Sequence, residues 1–247
     1  MGLFRRKKLI LTKTHDYCAA DKPKLTVVMI HGIAADSSSF TRALQYLEGT
    51  ASLKEVRFVA FDLLGAGKSL KSDELEYSYS EQLEALHNAI RKLKLKTPLV
   101  LVGHSMGTFI ATRYANTYKK SVRKLILISP PVYTVENLAD PAFMVAIKAF
   151  EKAVSTKNRR ILQEKAFQNS IRKIVMNKYN YKNLVELKTP AVLIYGNLDK
   201  FVASFNYPKL TKENPKYLSL IKTEGAHGVS RDKYTKMVGV IEGVLHA

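Results

Sequence analysis

The sequence predicts an α/β fold: a mostly parallel central sheet with helices on both faces. The first observation is a series of short, near-continuous apolar runs, which is typical of strands buried on both faces. The second is that segments with helical spacing lie between these runs, as in a parallel sheet built with crossover helices. The runs are Leu25–Ile30, Val56–Phe61, Leu99–Val102, Leu125–Ile128 and Ala191–Tyr195, with Leu9–Thr12 and Tyr217–Ile221 as weaker candidates.

The clearest predicted helix covers Ser80–Leu95, where apolar residues recur at steps of three and four. Ser78, followed by Glu81 three residues later, predicts a capping box at its start. Further helices are expected over Thr108–Tyr118 and from about Arg231.

Between about residues 132 and 187 the pattern is helical, with no intervening strand. We expect a single domain, 1–247, with a small helical cap inserted here, because such an insertion can cover the carboxyl edge where open α/β sheets bind ligands. From Lys148 to Lys182, ten Lys or Arg against two Glu give +8. This charge could steer anionic substrates or only be solvated, and both readings stay open. Two apolar stripes are expected to pack inward: Phe143, Ile147, Phe150 and Val154, and Phe167, Ile171, Ile174 and Val175.

The composition limits the possible classes of protein. Of 247 residues, 46% are hydrophobic, so a packed core is expected despite a net charge of +19. The single Cys18 excludes an intramolecular disulfide scaffold. No nucleic-acid motif accompanies the charge, so we expect no nucleic-acid partner and interpret the basic surface as a solubility feature.

The apolar runs are too short for a membrane span, so no stable membrane insertion is expected. The basic start Met1–Lys8 lacks a following apolar signal core. We therefore expect a cytoplasmic protein, whose oligomeric state the sequence leaves open.

A candidate nucleophile lies in Gly103-His104-Ser105-Met106-Gly107, which matches the G-x-S-x-G nucleophile elbow. An apolar strand precedes it and a helix is predicted after it, which is the context this motif requires. The sharp turn would raise the Ser105 hydroxyl above the sheet edge. The alternative is a glycine-flanked turn with a structural serine.

A serine hydroxyl needs a base, and the base needs a carboxylate to orient it. His227 lies in a glycine-containing loop after the last candidate strand, and Asp199 follows the Ala191–Tyr195 strand. Their order along the chain is that of Ser–Asp–His hydrolases. If Asp199 is not the acid, Asp140 and Glu224 come next. Three other histidines are not expected to act: His87 on a helix face, His15 in a hairpin turn and His246 in the tail.

The tetrahedral intermediate of acyl transfer needs backbone N–H donors aimed at its oxyanion. We expect one donor from Met106 and another from Ile33, with Ala34 as the alternative to Ile33. His31 is expected to be structural and to bond to loop backbone.

With these motifs, the chain resembles the α/β-hydrolase superfamily over nearly its full length. The matching segments are His31-Gly32, Asp62–Ser69, Gly103–Gly107, Gly196–Asp199 and Gly225–His227. The resemblance implies that Asp62–Ser69 is a structural turn. Gly65–Ser69 is partly similar to a phosphate-binding loop but lacks the upstream glycine of that motif.

The chain departs from the superfamily in having Val202-Ala203 where proline is frequent, and Ala226 rather than glycine directly before the histidine. These departures remove no catalytic group, so they bear on which subfamily the chain resembles and not on the triad. The Ser-Met pair resembles carboxylesterases, monoacylglycerol lipases and some carbon–carbon bond hydrolases.

The resemblance implies a serine hydrolase that cleaves small or medium acyl esters through an acyl-enzyme, with no metal and no organic cofactor. The alternatives are carbon–carbon bond cleavage or another activity of the superfamily with the same triad, and a non-catalytic ligand-binding or signalling protein on this fold.

Overall fold

A computed structural model describes residues 9–141 and 164–247, together with residues 144, 145, 148 and 152. Within them, seven strands form one sheet in the order β1-β3-β2-β4-β5-β6-β7, in which β1 runs antiparallel to β3 and every other pair is parallel. The predicted α/β class with a mostly parallel sheet is confirmed. The strands are β1 Lys13–Tyr17, β2 Leu25–Ile30, β3 Val56–Phe61, β4 Leu99–His104, β5 Lys124–Ile128, β6 Ala191–Gly196 and β7 Leu218–Thr223.

Helices cover both faces of this sheet. Alternate residues of β2 enter opposite cores, with Val27 and Met29 in one and Val28 and Ile30 in the other. No helix in the described ranges is both long enough and apolar enough to cross a membrane. The α-helices described are α1 Thr41–Glu48, α2 Tyr79–Lys92, α3 Met106–Thr117, α4 Val135–Ala139, α5 Glu164–Ser170, α6 Asn180–Val185, α7 Tyr207–Glu213 and α8 Arg231–Leu245.

The apolar runs predicted the parallel strands to within two residues at each end. The capping box is also present: the Ser78 side chain accepts from the Glu81 N–H, and the Glu81 carboxylate accepts from the Ser78 N–H. Helix α8 begins at Arg231, as expected.

The prediction of a first strand at Leu9–Thr12 was wrong, because the strand is the polar segment Lys13–Tyr17. It is an exposed edge strand, so it needs no apolar run, and Asp16 pairs with Arg57 of β3 at 2.7 Å. Leu9 and Leu11 are apolar because they pack on the core. His15 therefore lies in a strand rather than in a hairpin turn, and its Nε2 contacts Glu48.

In the predicted cap region, helices α4, α5 and α6 and a π-helical turn at Ile171–Val175 are described, and these described residues contain no strand. Of the predicted stripe, Phe167, Ile171 and Ile174 are buried, and Val175 is partly buried against the same core. Lys165 and Lys173 both pair with Glu76, so part of the basic charge is compensated. The stripe Phe143, Ile147, Phe150 and Val154 and the basic start Met1–Lys8 lie outside the described residues.

Candidate active site

The candidate residues lie in loops that follow neighbouring parallel strands. Gly103 of β4 is opposite Ile30 of β2, and Gly196 of β6 is opposite Thr223 of β7. The loops after these strands therefore meet at the carboxyl edge of the sheet, where ligands bind in open α/β folds. Chain order along the sheet reverses at β2, which lies between β3 and β4.

Ser105 forms the turn between β4 and α3. Its backbone has φ 51° and ψ −120°, which is a strained conformation for a residue other than glycine. Its N–H donates to the Ile128 carbonyl of β5 at 2.9 Å, which ties the turn to the next strand. This strand–turn–helix geometry is the structural context that the nucleophile elbow motif requires.

Asp199 and His227 are joined by a hydrogen bond. His227 Nδ1 lies 2.9 Å from Oδ2 and 3.1 Å from Oδ1 of Asp199. The Asp199 side chain is fully enclosed, whereas the His227 side chain is 17% exposed. The structure thus brings His227 to Asp199 rather than to Asp140 or Glu224.

The loops that carry these two residues are bonded to each other. The Leu198 N–H donates to the Gly225 carbonyl at 3.0 Å, and the Gly225 N–H donates to Asn197 Oδ1 at 3.1 Å. The two loops are therefore held together by these hydrogen bonds as well as by the contact between Asp199 and His227.

Burial would raise the pKa of Asp199, but hydrogen bonds from His227, from the Phe201 N–H and from the Ser129 hydroxyl outweigh it and hold that pKa below its usual value. Asp199 is therefore ionised at neutral pH. An ionised carboxylate on Nδ1 fixes the imidazole tautomer and leaves Nε2 to accept a proton.

His104, the residue before Ser105, lies next to His227: the centroids of the two imidazole rings are 5.1 Å apart. Among the described residues, the Ser105 hydroxyl makes no hydrogen bond to His227. Hydrogen bonds of this kind often close only when substrate is bound.

Two backbone amides were predicted to form an oxyanion hole. Met106 is the first residue of α3, where an N–H has no intrahelical acceptor. The loop after β2 lies against the elbow, because a Cβ built on Gly32 would be 3.0 Å from Ser105 Cβ. Ala34 has φ 53° and turns this loop. Ile33 lies between Gly32 and Ala34 in the chain. That the Ile33 and Met106 amides bind an oxyanion stays a prediction.

His31 is structural, as predicted. It is 1% exposed, its Nε2 accepts from the Leu63 N–H at 2.9 Å, and its Nδ1 donates to the Gly32 carbonyl at 2.8 Å. Burial lowers the pKa of His31, so the ring is neutral.

Asp62 fixes the turn that follows β3. Its carboxylate accepts from the Ser37 N–H at 2.9 Å, from the Ser37 hydroxyl at 2.6 Å and from the Lys68 N–H at 2.8 Å. The Asp62–Ser69 segment is therefore the structural turn that the resemblance implied.

Three residues around His227 were not predicted as part of the site. His104 Nε2 donates to the His227 carbonyl at 2.9 Å, and burial together with the nearby His227 lowers the pKa of His104 to about 3. Ser129 and Lys233 are buried beside the Asp199–His227 pair. His104 stands within the elbow motif, but Lys233 gives no signal in the sequence, because a lysine on an amphipathic helix is usually solvated.

The mostly parallel sheet and the strand–turn–helix at Ser105 agree with the fold of α/β-hydrolases. The family described as "alpha/beta hydrolase fold" matches residues 26–160, more than half of the chain, and the chain belongs to this family.

Several relatives are similar in sequence. "Probable lysophospholipase BODYGUARD 2" of Arabidopsis thaliana is 34% identical over 134 residues, which cover 54% of this chain and 28% of that protein. "Monoacylglycerol lipase abhd6-B" of Xenopus laevis is 26% identical over 219 residues, which cover 86% of this chain and 59% of that protein. The matches thus span less than two thirds of these relatives' length.

Two solved structures share the fold. The monoacylglycerol lipase of Paleococcus ferrophilus has a TM-score of 0.65 at 20% identity, covering 95% of this chain and 98% of that one. The esterase EaEST of Exiguobacterium antarcticum has a TM-score of 0.68 at 22% identity, covering 94% of each chain.

Proposed function

We propose that this protein is a serine hydrolase that cleaves carboxylic esters through an acyl-enzyme intermediate. The observation that carries the proposal is the hydrogen bond between the enclosed Asp199 and the partly exposed His227, at the sheet edge where Ser105 forms a strained strand-to-helix turn. A nucleophile, a base and an orienting acid are the minimum set for this chemistry.

In the proposed reaction, His227 Nε2 takes the proton of the Ser105 hydroxyl as its oxygen attacks the ester carbonyl. The Ile33 and Met106 amides stabilise the resulting oxyanion. His227 then gives its proton to the leaving alcohol, which departs and leaves an acyl group on Ser105. Water, deprotonated by His227, attacks this acyl group. The bond between the acyl carbon and the Ser105 oxygen then breaks, His227 returns its proton to that oxygen, and the acid leaves. Each proton is moved by the imidazole, so the reaction calls for no metal or organic cofactor.

We infer a carboxylesterase for small or medium acyl chains. The named activities of the relatives, monoacylglycerol lipase, lysophospholipase and esterase, all cleave carboxylic esters and support this class. We also propose that the helical segment between about residues 132 and 187 caps the site. We further propose that the protein is cytoplasmic and has no nucleic-acid partner.

The test is a panel of p-nitrophenyl esters from acetyl to dodecanoyl, with a monoacylglycerol, a lysophospholipid and a vinylogous diketone that reports carbon–carbon cleavage. We expect hydrolysis of the esters, with the highest kcat/KM at short or medium chain length. Cleavage of the diketone alone would favour the carbon–carbon alternative. No turnover of any substrate, with purified folded protein, would favour the non-catalytic alternative.

A further inference from the structure

We propose that Lys233 is a positioning residue for the Asp199–His227 pair. Its buried ammonium group ties the two carbonyls that flank the base to Ser129, whose hydroxyl acts on the acid. The proposal rests on the proposed function, because it assigns Lys233 a role toward the same triad.

The Lys233 side chain is enclosed in the first turn of α8, directly after the His227 loop, and the residue has an exposure of 0%. Its Nζ donates to the carbonyl oxygens of Ala226 and Gly228, the latter at 2.8 Å. These two residues flank His227. A third hydrogen bond runs to Ser129 Oγ at 3.0 Å. An ammonium group has three N–H donors, so all of them are used.

Ser129 connects this ammonium to the acid. Its hydroxyl accepts from Lys233 and interacts with the Asp199 carboxylate, where it helps to lower the pKa of that group. Ser129 itself is fully buried and has φ 49°, in the left-handed region that residues other than glycine rarely adopt. Its N–H donates to the Ile194 carbonyl of β6 at 2.9 Å, just before the Asp199 loop begins.

The backbone of His227 is held on three consecutive carbonyls. Lys233 binds those of Ala226 and Gly228, and His104 Nε2 binds that of His227 itself. Lys233 and His104 therefore fix the backbone at His227 and at both of its neighbours. Displacements of about 1 Å at a catalytic group can lower turnover by about 100-fold, so this fixation bears directly on rate.

Placing a lysine at this buried position is unfavourable for the stability of the fold. Burial disfavours a charged group, and the first turn of a helix is the positive end of its dipole. Burial lowers the pKa of Lys233 to about 8, while the Asp199 carboxylate acts in the opposite direction. The ammonium form is thus the main one at pH 7, and three acceptors and a nearby carboxylate compensate it.

The experiment compares Lys233→Met, which keeps the length and apolar stem of the side chain, with Lys236→Met, an exposed lysine on the same helix. The protein is the full chain, and a fluorophosphonate titrates the fraction of active sites in each preparation. We expect kcat per titrated site to fall by about 10- to 100-fold in Lys233→Met, with KM changed less than about threefold. Lys236→Met should match the wild type.

A spectroscopic readout separates positioning from stability alone. We expect the proton that His227 Nδ1 donates to Asp199 to give a downfield proton resonance. This resonance should shift or broaden in Lys233→Met and remain unchanged in Lys236→Met. An unchanged resonance and an unchanged kcat per site, with only a lower melting temperature, would overturn the proposal.

If Lys233→Met does not fold, Ser129→Ala decides the question, because it removes the hydroxyl that accepts from Lys233 and leaves both carbonyl contacts in place. A fall in kcat with a displaced resonance supports the proposal, and wild-type values of both overturn it. Ser105→Ala separates this result from the proposed function. If Ser105→Ala retains activity, the triad assignment itself fails, whatever Lys233→Met does.

Discussion

Gly196 and Gly225 approach so closely that a Cβ atom on Gly196 would lie 2.0 Å from the Gly225 carbonyl oxygen. Gly196 precedes Asp199 by three residues and Gly225 precedes His227 by two. The absence of a side chain at Gly196 is therefore what allows the acid and base loops to meet.

The first prediction follows from this approach. In Gly196→Ala the loops must separate, so the Asp199–His227 contact should lengthen. We expect kcat to fall by about 100-fold and the free energy of unfolding to fall by about 1–3 kcal/mol. Gly239→Ala is the matched control, since a Cβ on Gly239 of α8 meets no atom within 4 Å. It should leave kcat unchanged and raise stability by about 0.5–1 kcal/mol. Wild-type turnover in Gly196→Ala would contradict this explanation.

The second prediction concerns the acid. Asp199→Asn should lower kcat by about 10⁴-fold with little change in fold, because an amide donor would hold the imidazole in the wrong tautomer. Steady-state kinetics and circular dichroism measure the two effects. Asp140→Asn and Glu224→Gln serve as controls and should keep wild-type kcat. A larger loss in either control than in Asp199→Asn would assign the acid elsewhere.

The third prediction is a pH dependence of stability that originates in His104. The pKa of this residue is about 3 in the folded protein and ordinarily 6.5. Between these values the unfolded chain binds a proton that the folded chain does not, so stability falls as pH decreases from 6.5 towards 3. Burial lowers the pKa of His31 as well, which adds to the effect in the same direction.

Urea unfolding at pH 7.0, 6.0 and 5.0 measures this dependence. We expect His104→Gln to reduce the slope by up to about 1.4 kcal/mol per pH unit, the value for one proton. Parallel curves for His104→Gln and the wild type would show that His104 takes up no proton on unfolding.

Much of the fold could be predicted because the parallel strands are buried on both faces and so read as apolar runs. Strand β1 could not be predicted in this way, because an exposed edge strand such as Lys13–Tyr17 has no face that must be apolar. The neighbouring Leu9 and Leu11 misled the prediction, since they are apolar for packing on the core and not for pairing in the sheet.

Some residues of the candidate site could also be predicted from the sequence, and others could not. Ser105, Asp199 and His227 could be proposed because the elbow motif and chain order restrict where each can lie. Lys233 could not, because its burial depends on Ser129 and the His227 loop, which come together only in three dimensions.

The central claim is that Ser105 is a nucleophile activated by His227. The most direct measurement is labelling with a fluorophosphonate, followed by mass spectrometry of the labelled peptide, in the wild type, Ser105→Ala and His227→Ala. We predict one label on Ser105 in the wild type, none in Ser105→Ala, strongly slowed labelling in His227→Ala, and loss of ester hydrolysis by several orders of magnitude in both variants. A label on another residue, or ester hydrolysis retained by folded Ser105→Ala above about a tenth of the wild-type rate, would contradict the claim.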